Sequence, residues 1–119
     1  MIIAEAMGSG VSGLGARAIA GSVAGAVTAA GSTLATATTL LAANNHVTAG
    51  SGGVILPPSP SVGDTICVGN GLGTTLSVYP HVAGAKINNG SAGAAVSVAA
   101  GKGGEFICMD SLNWMAIYS

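Results

Sequence analysis

The sequence predicts an all-β protein: an antiparallel β-sandwich or jelly-roll-like knob preceded by an extended, Ala/Gly-rich N-terminal arm. Three observations carry that prediction. Beyond residue 32, short apolar segments alternate with turn residues at intervals of about eight to twelve positions, the rhythm of sandwich and barrel strands. No segment after residue 45 keeps a helical period for as long as about ten residues. Residues 1–31, by contrast, are a low-complexity stretch of mostly Ala, Gly, Ser and Val with no Pro, Asn or aromatic side chain. The chain is read as two regions, an arm over 1–31 and a knob over 32–119, within the length of one ordinary domain.

The arm is expected to be extended and to order only against a neighbouring surface. Glycines at 8, 10, 13, 15, 21 and 25 weigh against a helix by roughly 1 kcal/mol each relative to Ala. A short helix within 14–30 is the alternative, and the Gly21/Gly25 spacing would let two such helices approach closely. Residues 11–30 have the hydropathy of a membrane span, yet Arg17 sits near the middle and Ala, Gly and Ser dominate. A secretion signal needs a cationic start, and this chain opens Met1-Ile2-Ile3-Ala4-Glu5. No membrane partner is expected.

In the knob, strands are expected at 34–41, 46–49, 53–56, 65–69, 76–79, 86–87, 94–99, 104–110 and 113–118. Pro57-Pro58-Ser59-Pro60 separates the third from the fourth, because proline lacks the ladder donor. Asn88-Asn89-Gly90 and the glycine-rich run at 100–104 supply residues that tolerate positive φ. Alternation puts Leu76 and Val78 on one face, and Val96 and Val98 on one face. Over 105–110, Phe106 and Cys108 share one side, with Ile107 and Met109 opposite. Both sides are apolar, so this strand should lie between two covering layers. The last strand sets Trp114, Ala116 and Tyr118 against Met115 and Ile117, again apolar on both sides, which calls for burial against a neighbour.

Three basic and four acidic side chains in 119 residues are far below the roughly one-quarter charged content of an average domain. Such a surface is poorly suited to standing alone in water. The core must be built from small pieces, since there is one Phe, one Trp and two Tyr. Ordering costs roughly 1.5 kcal/mol per residue, and Ala and Gly bury little in return, so a homo-oligomer is expected. Arg17, Lys86 and Lys102 are scattered and form no basic patch, which excludes nucleic acid and anionic lipid surfaces as partners.

Little in the chain carries chemistry. Cys67 and Cys108 fit neither a zinc knuckle nor a redox pair; they read as buried thiols, with a disulfide between neighbouring strands as the alternative. His46 reads as a turn residue and His81 as a surface histidine at a strand exit, neither with a second metal ligand at suitable spacing. Gly8-Ser9-Gly10-Val11-Ser12-Gly13 matches a dinucleotide-binding pattern, but no Asp or Glu follows until Asp64. Glu105 and Asp110 should point to opposite faces of a strand, and Asp64 is read as a turn residue bonding its own backbone. No catalytic, cofactor or metal site is expected, and the chain is not expected to be an enzyme.

From about residue 36 onward the chain resembles a small β-domain of tailed-bacteriophage structural proteins: head-decoration (cement) proteins, head fibres and parts of tail fibres. The residues carrying the resemblance are Asn45-His46-Val47-Thr48 leading to Gly53-Val54-Ile55-Leu56-Pro57, then Gly63-Asp64-Thr65-Ile66-Cys67-Val68 with Asn70-Gly71. Leu76-Ser77-Val78-Tyr79-Pro80, Ile87-Asn88-Asn89-Gly90, 96–102, and Phe106-Ile107-Cys108 with Trp114 complete it. It implies a trimeric knob without an active site, with Phe106 and Trp114 anchoring the inner core. The expected function is a cement protein made in the host cytoplasm and bound to the outer capsid surface. Its partners would be its own copies and the major capsid protein or neighbouring virion proteins. A head-fibre or tail component with a host-binding knob is the alternative.

Overall fold

The computed structural model of the chain describes residues 22–119. The glycine pattern at 8–13, Glu5, Arg17 and the arm through residue 21 lie outside the described residues. Within them the regular structure is entirely β. The strands, in chain order, are β1 (Val23–Ala29), β2 (Thr38–Thr39), β3 (Asn44–Gly50), β4 (Gly52–Ile55) and β5 (Thr65–Asn70). Then follow β6 (Leu76–Tyr79), β7 (Lys86–Ile87), β8 (Val96–Val98), β9 (Gly103–Asp110) and β10 (Asn113–Tyr118).

The chain alternates between two sheets. A six-stranded sheet has the order β1-β3-β5-β9-β10-β7, and a four-stranded sheet the order β2-β4-β6-β8. Successive odd strands stack in parallel, so that Val23 stands opposite Asn44 and Asn44 opposite Cys67. Even strands do the same, with Thr38 opposite Val54 and Val54 opposite Val78. A parallel pair needs a crossover; here each crossover runs through the facing sheet, as in a flattened solenoid. The coil then closes with antiparallel pairs, β8 on β6, β9 on β5 and β10 on β9. β7 adds a short parallel edge beside β10.

The all-β class predicted from the sequence is observed. The antiparallel jelly-roll arrangement is not, because both sheets are mixed. Strands read from period-two alternation look the same whether the next segment returns as a hairpin or crosses to another layer. Val23–Ala29, assigned by composition to the arm, is an integral strand of the larger sheet. The strand expected at 34–41 shrinks to Thr38–Thr39 because a turn consumes its start. Thr36 and Ala37 donate their backbone N–H groups to the Thr33 carbonyl, and the Thr33 and Thr36 hydroxyls bond at 2.8 Å. Asn88 and Asn89 take the left-handed conformation their residue types allow, at φ of 52° and 60°.

One apolar layer lies between the sheets. The larger sheet contributes Val47, Ile66, Val68, Phe106, Cys108 and Trp114, and the smaller contributes Val54, Leu76, Val78 and Val98. Asn70 is buried among them and fully used. Its amide donates to the carbonyls of Thr74 (2.9 Å), Val98 (3.0 Å) and Ala99 (3.2 Å), and its Oδ1 accepts from the Leu72 N–H. It therefore fastens the β5–β6 turn to the end of β8. On the outside of the smaller sheet the Tyr79 ring lies over Gly53, where a Cβ would come within 2.7 Å of the ring, and its hydroxyl donates to the Ser32 carbonyl.

Asn70→Asp replaces three donated bonds by a carboxylate facing carbonyl oxygens. It is expected to destabilise by about 2–4 kcal/mol near neutral pH, more than Asn70→Ala. The new carboxyl binds its proton more tightly in the fold than in the unfolded chain, so part of the loss returns as the pH falls. Chemical denaturation at several pH values checks both statements.

Candidate functional site

The outer face of the six-stranded sheet is the most distinctive surface among the described residues. Alternation in β9 sends Phe106 and Cys108 into the core and Ile107 and Met109 outward. In β10, Trp114 goes inward while Met115 and Ile117 go outward. Register then gathers the outward residues. Met115 pairs with Ile107, which pairs with Thr65, and Ile117 pairs with Glu105, which pairs with Cys67. The result is an apolar patch on two adjacent strands, with Met109 48% exposed, Met115 51% and Ile117 72%. The two-sided apolar strand expected over 105–110 thus receives its inner cover from the smaller sheet. Its outer cover is not supplied by the described chain.

Charge around the patch is sparse. Glu105 lies within the β9–β10 rows and Lys86 on the edge strand β7. Asp110 is engaged by the β9–β10 turn, accepting from the Leu112 N–H at 2.9 Å and from the Asn113 amide at 3.0 Å on each oxygen. The Leu112 bond first, then the Asn113 side chain, hold its carboxyl below the usual range.

Residues weighed for chemistry are dispersed. Cys67 and Cys108 are both free thiols; Cys108 is buried as expected, whereas Cys67 is only half-buried because alternation in β5 turns it to the outer face. They lie on neighbouring strands but out of register, since Cys67 stands opposite Glu105, and they point to opposite faces. Burial, then the nearby Glu105 carboxylate, pushes the Cys67 thiol up; burial, then Asp64 and Asp110, does so for Cys108. His46 is exposed on β3 opposite Gly69. Asp64 closes its own turn as expected, accepting from the Ser61 N–H at 2.9 Å. Among the described residues no three of His, Cys, Asp and Glu come together in a way that could hold a metal ion. A cleft of about 70 Å³ runs between Ala42, Ala43, the Pro57–Pro60 run and Ile66. That is well under the roughly 300 Å³ at which ligand pockets begin.

His81 departs from the sequence reading. It is not a free surface histidine but a half-buried acceptor, with the Trp114 indole N–H donating to its Nδ1 at 2.9 Å. The buried asparagines were also missed as internal braces. Asn45 donates to the carbonyls of Ala42 (2.9 Å) and Cys67 (3.3 Å), leaving its buried Oδ1 without a protein partner. The available signal was an amide next to apolar strand positions, as in Ile66-Cys67-Val68-Gly69-Asn70, where an unbraced amide would be costly.

No protein-family model, curated protein or solved structure matches the chain. The functional reading therefore rests on the residues and their geometry.

Glu105→Gln removes the carboxylate that helps hold the Cys67 thiol up. Alkylation of Cys67 near neutral pH is expected to speed up a few-fold while that of Cys108 stays unchanged, read by mass spectrometry of timed iodoacetamide reactions.

Proposed function

We propose that this chain is a bacteriophage capsid decoration (cement) protein: a homotrimer bound to the outside of the major capsid protein lattice, working by contact and not by catalysis. The observation that carries the reading is the apolar patch of exposed Met109, Met115 and Ile117 around the half-buried Ile107 on β9 and β10 of the larger sheet. The low charge of the chain and the resemblance of residues 36–119 to phage decoration domains support it further.

Magnitudes favour adhesion at many points over one tight pair. Covering a half-exposed Met or Ile gains on the order of 1 kcal/mol. Bringing two molecules together costs roughly 4–15 kcal/mol. A patch of this size binds weakly by itself. Three linked copies on a repeating shell multiply the effect, because each contact after the first is intramolecular. Small, weakly charged subunits that complete their apolar cover on a lattice would stiffen that lattice without a ligand pocket.

The double variant Met115→Glu/Ile117→Glu places carboxylates on the outward face and leaves the inward row intact. It is expected to sediment as a smaller species than the parent chain and to lose co-sedimentation with shells of the parent particle, with secondary structure unchanged by circular dichroism. Ser97→Glu, on the other sheet, is expected to keep both properties. A parent chain that stays monomeric and ignores the shells overturns the proposal.

A further inference from the structure

His81 sits just after the buried Pro80, where the chain leaves β6 in the smaller sheet and crosses to β7 on the far edge of the larger one. Trp114 lies on β10, opposite Ile87 of β7. The two rings meet edge to face, with centroids 5.8 Å apart and planes at 63°. Trp114 is only 2% exposed, so its indole N–H has little water to turn to. Its partner is His81 Nδ1, at 2.9 Å. A ring nitrogen that accepts a hydrogen bond carries no proton, so the neutral imidazole holds its proton on Nε2.

Protonation changes the chemistry of this contact completely. An imidazolium donates from both nitrogens and accepts at neither. The new Nδ1–H would face the indole N–H, leaving a buried donor without a partner and two donors in opposition. We infer that His81 and Trp114 form a proton-operated latch, in which the neutral imidazole holds residues 81–84 against β10 and the imidazolium releases them, while the buried Pro80 and Ala85 on either side stay in place.

The release is local. β7 remains tied to β10 and its flanking turn by the Lys86 N–H to the Leu112 carbonyl and the Asn88 N–H to the Trp114 carbonyl, each at 2.9 Å. The Asn88 side chain adds a bond from its amide to the Ala116 carbonyl at 3.0 Å and one from the Ala116 N–H to its Oδ1 at 2.7 Å. Those four bonds do not titrate, so the edge strand stays while the crossing segment loosens.

The titratable groups on surrounding elements are Tyr79 on β6, Lys86 on β7, and Cys108 and Asp110 on β9. None of them sets the protonation of His81. Burial lowers it, and a backbone hydrogen bond at Ser111 opposes that in part. The folded value lies below the ordinary 6.5, so the fold favours the neutral ring. The contribution to stability is complete above pH 6.5 and is lost as the pH falls through the lower folded value. Asp110, held below 3.8, titrates in a separate and more acidic window. The latch operates regardless of what covers the outer face of the larger sheet.

The chain has a single tryptophan, so its indole N–H is a one-site reporter. The test follows that proton by NMR in the full-length protein from about pH 7.5 to 4.5. The expected result is one titration with a midpoint below 6.5, moving the indole resonance and raising its solvent exchange roughly tenfold. His81→Gln, which accepts a hydrogen bond without titrating, is expected to hold the indole N–H protected and flat with pH. His46→Gln is expected to titrate like the parent chain. An indole signal that does not respond to pH in the parent overturns the latch, as does the parent's titration surviving in His81→Gln. Should His81→Gln not fold, the imidazole nitrogen shifts of His81 in the His46→Gln protein decide the matter. A neutral ring with its proton on Nδ1 overturns the inference.

Discussion

The structure depends on one thin apolar layer shared by two sheets that the chain visits in turn. Val47, Val68 and Phe106 on one side meet Val54, Leu76, Val78 and Val98 on the other, all closed to water. Because each crossover belongs to the opposite sheet, neither sheet can form without the other. The interior accepts small β-branched and leucine side chains, with Phe106 as the largest fully buried group. This is how a sequence with so few aromatic residues assembles a core: it repeats a narrow layer along a coil in place of one wide centre.

The same geometry leaves a sheet with two faces and only one internal partner. Every outward position in β9 and β10 is surplus to the core, and four of them are Ile or Met. In a solitary soluble domain such positions carry polar side chains. Their apolar character is the point at which the fold asks for a neighbour. It links the sparse charge of the chain to a reading as one part of a larger assembly.

A few polar side chains, buried and exposed, brace the turns of the coil. Asn70 joins the β5–β6 turn to the end of β8, and Asn88 joins the β7 exit to β10. The Trp114 indole finds its acceptor in His81. Each secures a place where the chain changes sheet or direction, where ladder bonds alone would leave backbone groups unpaired. His81 differs from the asparagines in that its accepting atom can be removed by a proton.

Much of the local structure was legible in the residues themselves. The strands from Asn44 onward fall close to their expected places, the prolines and Asn88-Asn89-Gly90 mark turns, and Phe106, Cys108 and Trp114 face inward as alternation requires. These features depend on neighbours a few residues apart, and a chain carries that information locally. Strand direction, the inclusion of Val23–Ala29 in the larger sheet and the meeting of His81 with Trp114 were decided only in three dimensions. Side-chain alternation is identical in parallel and antiparallel strands, and the composition of Val23–Ala29 resembles a linker until β3 supplies its hydrogen-bond partners. Pairing over such separations is settled by which layers close upon one another, and no short window of sequence contains that.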